Sequence, residues 1–595
     1  MSSRARVRAP ALTGRGWLNT GGRSYDVSDF RGRYLLLDFW TFCCVNCLHV
    51  LDELRPLEEK YDGELVVVGV HSPKFVHEAD PDALAAAVER YEVSHPVLDD
   101  PELVTWQAYT ARAWPTLVLV DPEGYVLAQY AGEGHVHAID ALVSETRGGF
   151  RERGVLQPGT SPYVPPPVEP GDLRFPAKAV RLPTGGFLVA DSGHHSLVEL
   201  AADAATVVRR IGDGERGFVD GGASSARFSE PNGLCLLPAE VADEVGYDVV
   251  VADTVNHALR GVRLIDGTVS TLAGDGHQLF PGPQPSDSLS SPWDVLWWQE
   301  RVWIAMAGIH QLWTFDPRTG AVEVAAGTMN EGLLDGALPE AWFAQTSGLA
   351  ATGDRLWLAD SETSSVRYVT DGEVRTAVGR GLFDFGFRDG PAEQALLQHP
   401  LAVTALPDGS VAVCDTYNGA VRRISDGEVT TLATGLAEPS GAVVDGDTLV
   451  VVESAAHRLT RVPLTGIAVV EGFEHRTQRP VTDVAAALEL VVDFEPPPGQ
   501  KVDDRFGPPS QLLVSATPPA LLREGEGRTT ELRRTLVLDP AVGEGVLHVA
   551  ARAASCDEGG GEGAACHLHQ QDWGVPVRII GTGDSRLVLP LSGRS

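Results

Sequence analysis

Between about residues 172 and 465 the chain repeats one pattern six times, and no other feature constrains its fold as tightly. The stretches FPAKAVRLPTGGFLVADSGHHSLVEL and LQHPLAVTALPDGSVAVCDTYNGAVRRI show the unit. Two apolar strands flank a turn, an acidic residue ends the second, and a polar tetrad leads into a third strand. The acidic column reads Asp191, Asp253, Asp360, Asp415 and Glu453, with Met306 breaking it in the third copy. A unit this small cannot bury its own apolar face, so neighbouring copies must cover one another. Radial stacking of small antiparallel sheets is the solution with the fewest free edges, which predicts a β-propeller of six blades. The many turns this needs agree with 64 glycines and 40 prolines that follow no low-complexity period.

The flanking regions read differently. Residues 1–147 alternate strand-like runs (YLLLDFW, ELVVVGVHS, PTLVLVD) with helical stretches (HVLDELRPLEEKY, DPDALAAAVERYE), an α/β pattern with a mixed sheet. Residues 148–171 are rich in Pro and Gly without periodicity, as in an interdomain linker. Residues 466–595 are β-like with longer loops and no repeat, which suggests an all-β, sandwich-like domain. A net charge of −34 with four lysines argues against nucleic acid or an anionic membrane as partner. The basic N-terminus lacks the apolar core of a secretory signal, and no run approaches the roughly 18 residues of a membrane span. Seven cysteines in 595 residues make no disulfide scaffold, and the expected compartment is the cytoplasm.

A second column in the repeat carries His195, His257, His310 and His457 four residues after the acid, with Ser364 and Gly419 in the other copies. A ring of histidines can bind metal, but an acid and a histidine can equally brace the turns between blades. The bracing role is the reading adopted, and no metal or cofactor is expected. Cys235 and Cys414 fall inside apolar runs and read as core.

The chemistry of the chain concentrates in DFWTFCCVNC, residues 38–47. Cys44-Val45-Asn46-Cys47 follows a strand and opens a helix. There the unpaired N–H groups and the positive end of the dipole favour thiolate over thiol. Cys44 is the expected nucleophile, its pKa drawn from about 8.5 toward about 7 or lower. Cys47, one turn on, is placed to resolve a mixed disulfide. Cys43 reads as packing or as a third, competing thiol. Pro56 is expected to kink or restart the following helix near Arg55.

The segment LLLDFWTFCCVNC resembles the thioredoxin active-site region, and Ala113-Trp114-Pro115-Thr116 before LVLVD resembles its cis-proline loop. The resemblance implies that Asp38, six positions before Cys44, is buried and moves a proton for Cys47, and that Pro115 shapes the docking groove. The insert between VVVGVHS and AWPT makes the domain similar to the TlpA/ResA type. Val45-Asn46 departs from the usual dipeptide, and Cys43 stands where tryptophan is common. The repeat resembles the NHL repeat. The combination of CCVNC domain, propeller and β-domain resembles the NHL repeat-containing protein 2 family. Cys556 and Cys566 bracket a glycine-rich loop in a region faintly similar to the N-terminal domain of DsbD-type proteins. They could form a reversible disulfide that exchanges with Cys44, close a loop, or remain unconnected thiols. The function expected is thiol–disulfide oxidoreduction on a protein disulfide or thiol, with the propeller and C-terminal domain selecting the protein partner. The alternative is a propeller scaffold whose thioredoxin-like domain is structural or redox-sensing.

Overall fold

The computed structural model describes residues 6–167, 170–279, 287–465, 474–476, 481–496, 500–502, 508–557 and 566–592. In the N-terminal domain β1 (Gly16–Leu18), β2 (Tyr34–Trp40), β3 (Leu65–His71), β4 (Val97–Asp99), β5 (Thr116–Val120) and β6 (Val126–Ala131) form one mixed sheet. Its order is β1-β4-β3-β2-β5-β6, with β2, β3 and β4 parallel and the remaining strands antiparallel. Helices α1 (Val45–Lys60), α2 (Pro81–Arg90), α3 (Val104–Ala108) and α4 (Val136–Glu152) connect and cover it. Both faces of β2 are buried, which is why YLLLDFW reads as an unbroken apolar run.

Two expectations are corrected here. Helix α1 neither stops nor restarts at Pro56 but runs through to Lys60. Buried Val50, Leu51, Leu54 and Leu57 hold it down strongly enough to offset the missing N–H. The segment expected as linker begins inside α4, because Phe150 and Leu156 pack into the domain core beside Tyr34 and Tyr61. That burial outweighs the helix-weakening pair Gly148-Gly149.

Six blades follow, as the repeat requires. The first five contain four consecutive antiparallel strands each, with a short extra edge strand in the fourth and fifth. The sixth (Pro439–Asp445, Thr448–Glu453, Arg458–Pro463) has three among the described residues. Both columns of the repeat are brackets. Each acid accepts the backbone N–H of a residue just ahead of its blade's first strand: Arg174 to Asp191, Ser229 to Asp253, Ala344 to Asp360, Gln398 to Asp415 and Ala437 to Glu453. Met306 fills the same place with its Sδ, 3.4 Å from the N of Ser290.

The histidines reach the next blade. Nδ1 of His195, His257, His310 and His457 accepts the N–H of Glu230, Ser291, Gln345 and Phe175, at 2.9 to 3.3 Å. His457 thereby closes the ring from the last blade to the first. Ser364 Oγ does the same for His399. A third column went unread in the sequence. Seven residues after the acid, Arg260, Arg367 and Arg422 lie fully buried against Asp253, Asp360 and Asp415. The copy that lost its acid, at Met306, has Trp313 at that position instead. Lys178 of the first blade crosses the axis to Asp294 and to the carbonyls of Ser347 and Leu401, so the propeller channel is bridged from side to side.

The C-terminal strands form one continuous hydrogen-bonded sheet. Inward residues from its long strands, such as Leu488, Leu512, Leu536, Leu547, Trp573 and Leu589, share a single core. The sheet therefore folds over itself in the manner of a sandwich. Ala113 and Ala131 of the first domain pack into that core, so the two domains meet directly.

Candidate functional site

Cys44 caps the N-terminus of α1, and its Sγ accepts the N–H of Cys47 at 3.4 Å. Cys44 is partly exposed, Cys47 is buried, and neither is in a disulfide. Burial and the neighbouring Cys44 push the Cys47 thiol well above its ordinary range, so it needs help to ionise. Asp38 lies on β2, flanked by Gly69 of β3 and Leu117 of β5. It is fully buried, and neither carboxyl oxygen has a protein hydrogen-bond partner. Burial, then the charges of Glu58 and Glu53, push it up to about 8. The Trp114–Pro115 bond is cis, and Trp114 packs in one cluster with Cys43, Cys44 and Cys47.

Residues unreadable in the sequence organise this loop. Glu78, fully buried, accepts from Thr41 Oγ1 and from the N–H groups of Cys43, Lys74 and Phe75, at 2.6 to 2.9 Å. From the propeller, Gln345 binds both sides of Cys44. Its Oε1 accepts the Val45 N–H and its Nε2 donates to the Cys43 carbonyl, each at 2.9 Å. Cys43 is held between these two residues and buried. Beside it Lys74 forms a buried ion pair with Glu362 of the fourth blade.

Gln345 is one of six equivalent residues. Phe175, Glu230, Ser291, Gln345, His399 and Glu438 each precede a blade's first strand with φ between +45° and +64°. Together they ring the propeller face on which the first domain sits. Arg90 lies over Phe175, His49 Nε2 meets Ser291 Oγ at 2.7 Å, and Phe75 packs on His399. Glu438 binds His77 and Arg90, while Glu230 reaches Asp52 through Arg216. Four of these six docking residues are pinned by the histidine column, and a fifth, His399, by Ser364.

Cys44 opens into a narrow cleft of about 50 Å³ bounded by all three domains. Trp114 and Asn46 come from the first, His310, Glu331 and Glu362 from the propeller, and Trp573 and Gly574 from the last. Gly574 is obligatory there, because a Cβ would sit 1.9 Å from Phe383. Cys556 is buried and disulfide-bonded. It pairs in register with Cys566, whose side chain lies outside the described residues. That end of the hairpin is eight residues beyond the His548–Gly574 pair at the cleft, about 27 Å along the strand. The fold does not bring Cys556 to Cys44.

Buried histidines give the fold a pH signature. Burial, more than any neighbour, lowers His71 and His257 to about 3 and His399 to about 4. They stay neutral when folded but take a proton near pH 6.5 once unfolded. Their contribution is therefore whole above pH 6.5 and lost as pH falls toward 4, by up to about 4 kcal/mol per unit. Asp38, shifted up, offsets about a third of this. Denaturant midpoints should drop between pH 6.5 and 4.5, and His257→Gln should flatten the net slope by about half.

Residues 32–126 match the family described as thioredoxin-like. SUPPRESSOR OF QUENCHING 1, chloroplastic, of Arabidopsis thaliana is 37% identical over 432 residues, 69% of this chain and 40% of the plant protein. NHL repeat-containing protein 2 of Gallus gallus is 36% identical over 471 residues, 72% of this chain and 63% of the chicken protein. The chain thus spans between two fifths and somewhat under two thirds of these relatives. Thiol-disulfide oxidoreductase ResA of Geobacillus kaustophilus is 29% identical over 108 residues, 18% of this chain and 58% of that protein. The chain is a homologue of NHL repeat-containing protein 2 and SUPPRESSOR OF QUENCHING 1, with its thioredoxin-like domain N-terminal to a six-bladed propeller.

Proposed function

We propose that the protein is a thiol–disulfide oxidoreductase working through Cys44 and Cys47, with the propeller and C-terminal domain governing what reaches Cys44. The observation that carries this reading is Asp38, a fully buried carboxyl with no protein partner beneath a free cysteine pair. A structural carboxylate would be bonded, and an apolar residue would fit such a site better. Cys44, at the helix N-terminus, attacks a disulfide sulfur and expels one thiolate. Asp38 takes the proton of Cys47, whose thiolate then attacks Cys44 Sγ and releases the second. Two thiols of the protein become one disulfide, and the reverse sequence oxidises two external thiols. Five free cysteines among the described residues suit a reducing compartment, the cytoplasm in this reading.

Cys47→Ser should accumulate a mixed disulfide at Cys44, seen by intact mass after exposure to a disulfide, whereas Cys44→Ser should accumulate none. No adduct in the Cys47→Ser protein, together with a Cys44 that reacts no faster than free cysteine, would refute the reading. The grip of Gln345 on both flanks of Cys44 supports a second one, in which the pair senses redox state and reports it to the propeller. In that case oxidation changes the domain contacts without multiple turnover.

A further inference from the structure

We propose that the Cys44 cleft takes a low-molecular-weight disulfide, neutral or cationic, rather than a disulfide on the surface of a folded protein. This rests on the oxidoreductase reading above and adds the substrate class.

The argument begins with what the domain has lost as a protein-docking surface. No residue from Thr41 to Val50 is exposed, and Ala113, Pro115 and Thr116 are buried. The hydrogen-bonding groups on either side of Cys44 are already occupied by Gln345, so an incoming strand cannot pair there. A stable protein partner needs about 800 Å² of accessible surface around the reacting sulfur. What remains instead is a narrow cleft of about 50 Å³ at Cys44, with room for a slender chain but not for a protein loop. Its walls come from three domains, so no single loop movement opens it.

The lining sets the ligand's charge. Lys74 pairs with Glu362 within the wall and also feels Glu331, so the charged residues among the described lining carry one acid in excess. The whole chain is also strongly acidic, at −34. Trp114, Phe383 and Trp573 line the cleft with apolar surface against which a short chain can lie. An anionic disulfide meets repulsion at the mouth and in the cleft.

In the step itself Cys44 thiolate bonds to one sulfur of R–S–S–R, and R–S⁻ leaves and takes a proton. Cys47, deprotonated by Asp38, then bonds to Cys44 Sγ and expels the second R–S⁻. The small disulfide gains two electrons and two protons, and the protein gains one disulfide, which dithiothreitol reduces in the assay.

The test uses the full chain with four disulfides of different size and charge: cystamine, bis(2-hydroxyethyl) disulfide, oxidised glutathione and insulin. We expect kcat/KM for cystamine and the hydroxyethyl compound to exceed that for insulin by at least tenfold. Oxidised glutathione should fall below cystamine by a similar factor, the gap narrowing with added salt and in Glu331→Gln. Trp573→Ala, which widens the cleft, should raise the insulin rate. Insulin reduced as fast as the small disulfides by the unmodified chain would overturn the proposal, as would glutathione outpacing cystamine. Failure of all four, with no adduct in Cys47→Ser, would sink the oxidoreductase reading itself.

Discussion

Asp38→Asn should make the protein more stable at pH 8 while slowing resolution of a mixed disulfide about 100-fold. The carboxyl titrates at about 8 in the fold and near 3.8 in the unfolded chain. Between these values the folded state holds a proton that the unfolded state has released. Stability is therefore lost as pH rises, about 1.4 kcal/mol per unit. Over the whole interval that amounts to on the order of 5 kcal/mol at pH 8 and above. Asparagine does not ionise, so the variant's advantage should vanish below pH 4 and grow steadily above it. Denaturant midpoints from pH 4 to 9 measure this directly. The rate loss follows from removing a positioned base, worth about 10²–10⁴-fold. A single-turnover pH profile should also lose its inflection near 8. A variant both less stable and equally fast would show that Asp38 is structural.

Lys74→Met should destabilise the docked arrangement by about 3–5 kcal/mol, because it strands the Glu362 carboxylate in the interior. Burial opposes the Lys74 charge, yet Glu362 holds its pKa above the usual value, and Lys74 in turn holds Glu362 below its own. Both directions describe a pair kept ionised. The double change Lys74→Met with Glu362→Gln should recover most of the loss, since it leaves no buried charge unpaired. The two residues belong to different domains. Undocking should therefore also show as faster alkylation of Cys44 by a bulky maleimide in Lys74→Met. Equal losses in the single and double variants would mean that packing, not charge, joins the domains at this point.

Features with a local signature were legible in the sequence. Strand, C-x-x-C and helix are consecutive, so Cys44 at a helix start with Cys47 one turn inside follows from spacing. The repeat placed the acid and histidine columns, and their bracing role follows from needing an acceptor at each blade junction. The arginine column was equally legible, seven residues after three of the acids, and the loss of both partners around Met306 was its clearest sign. Pro56 and Gly148-Gly149 misled because local propensity was outweighed by burial of Leu57 and Phe150.

The sequence by itself determined a closed ring of six blades and a cysteine pair at a helix start, because periodicity and short spacing encode both, while the acid beneath the pair came from the thioredoxin resemblance. Only the tertiary structure decided that Gln345, some 300 residues away, grips the loop around Cys44. The same holds for Glu362 facing Lys74 and for Trp573 closing the cleft. Such contacts have no periodicity and no fixed separation along the chain. They arise where the blades' leading residues are turned to one face and another domain settles on it.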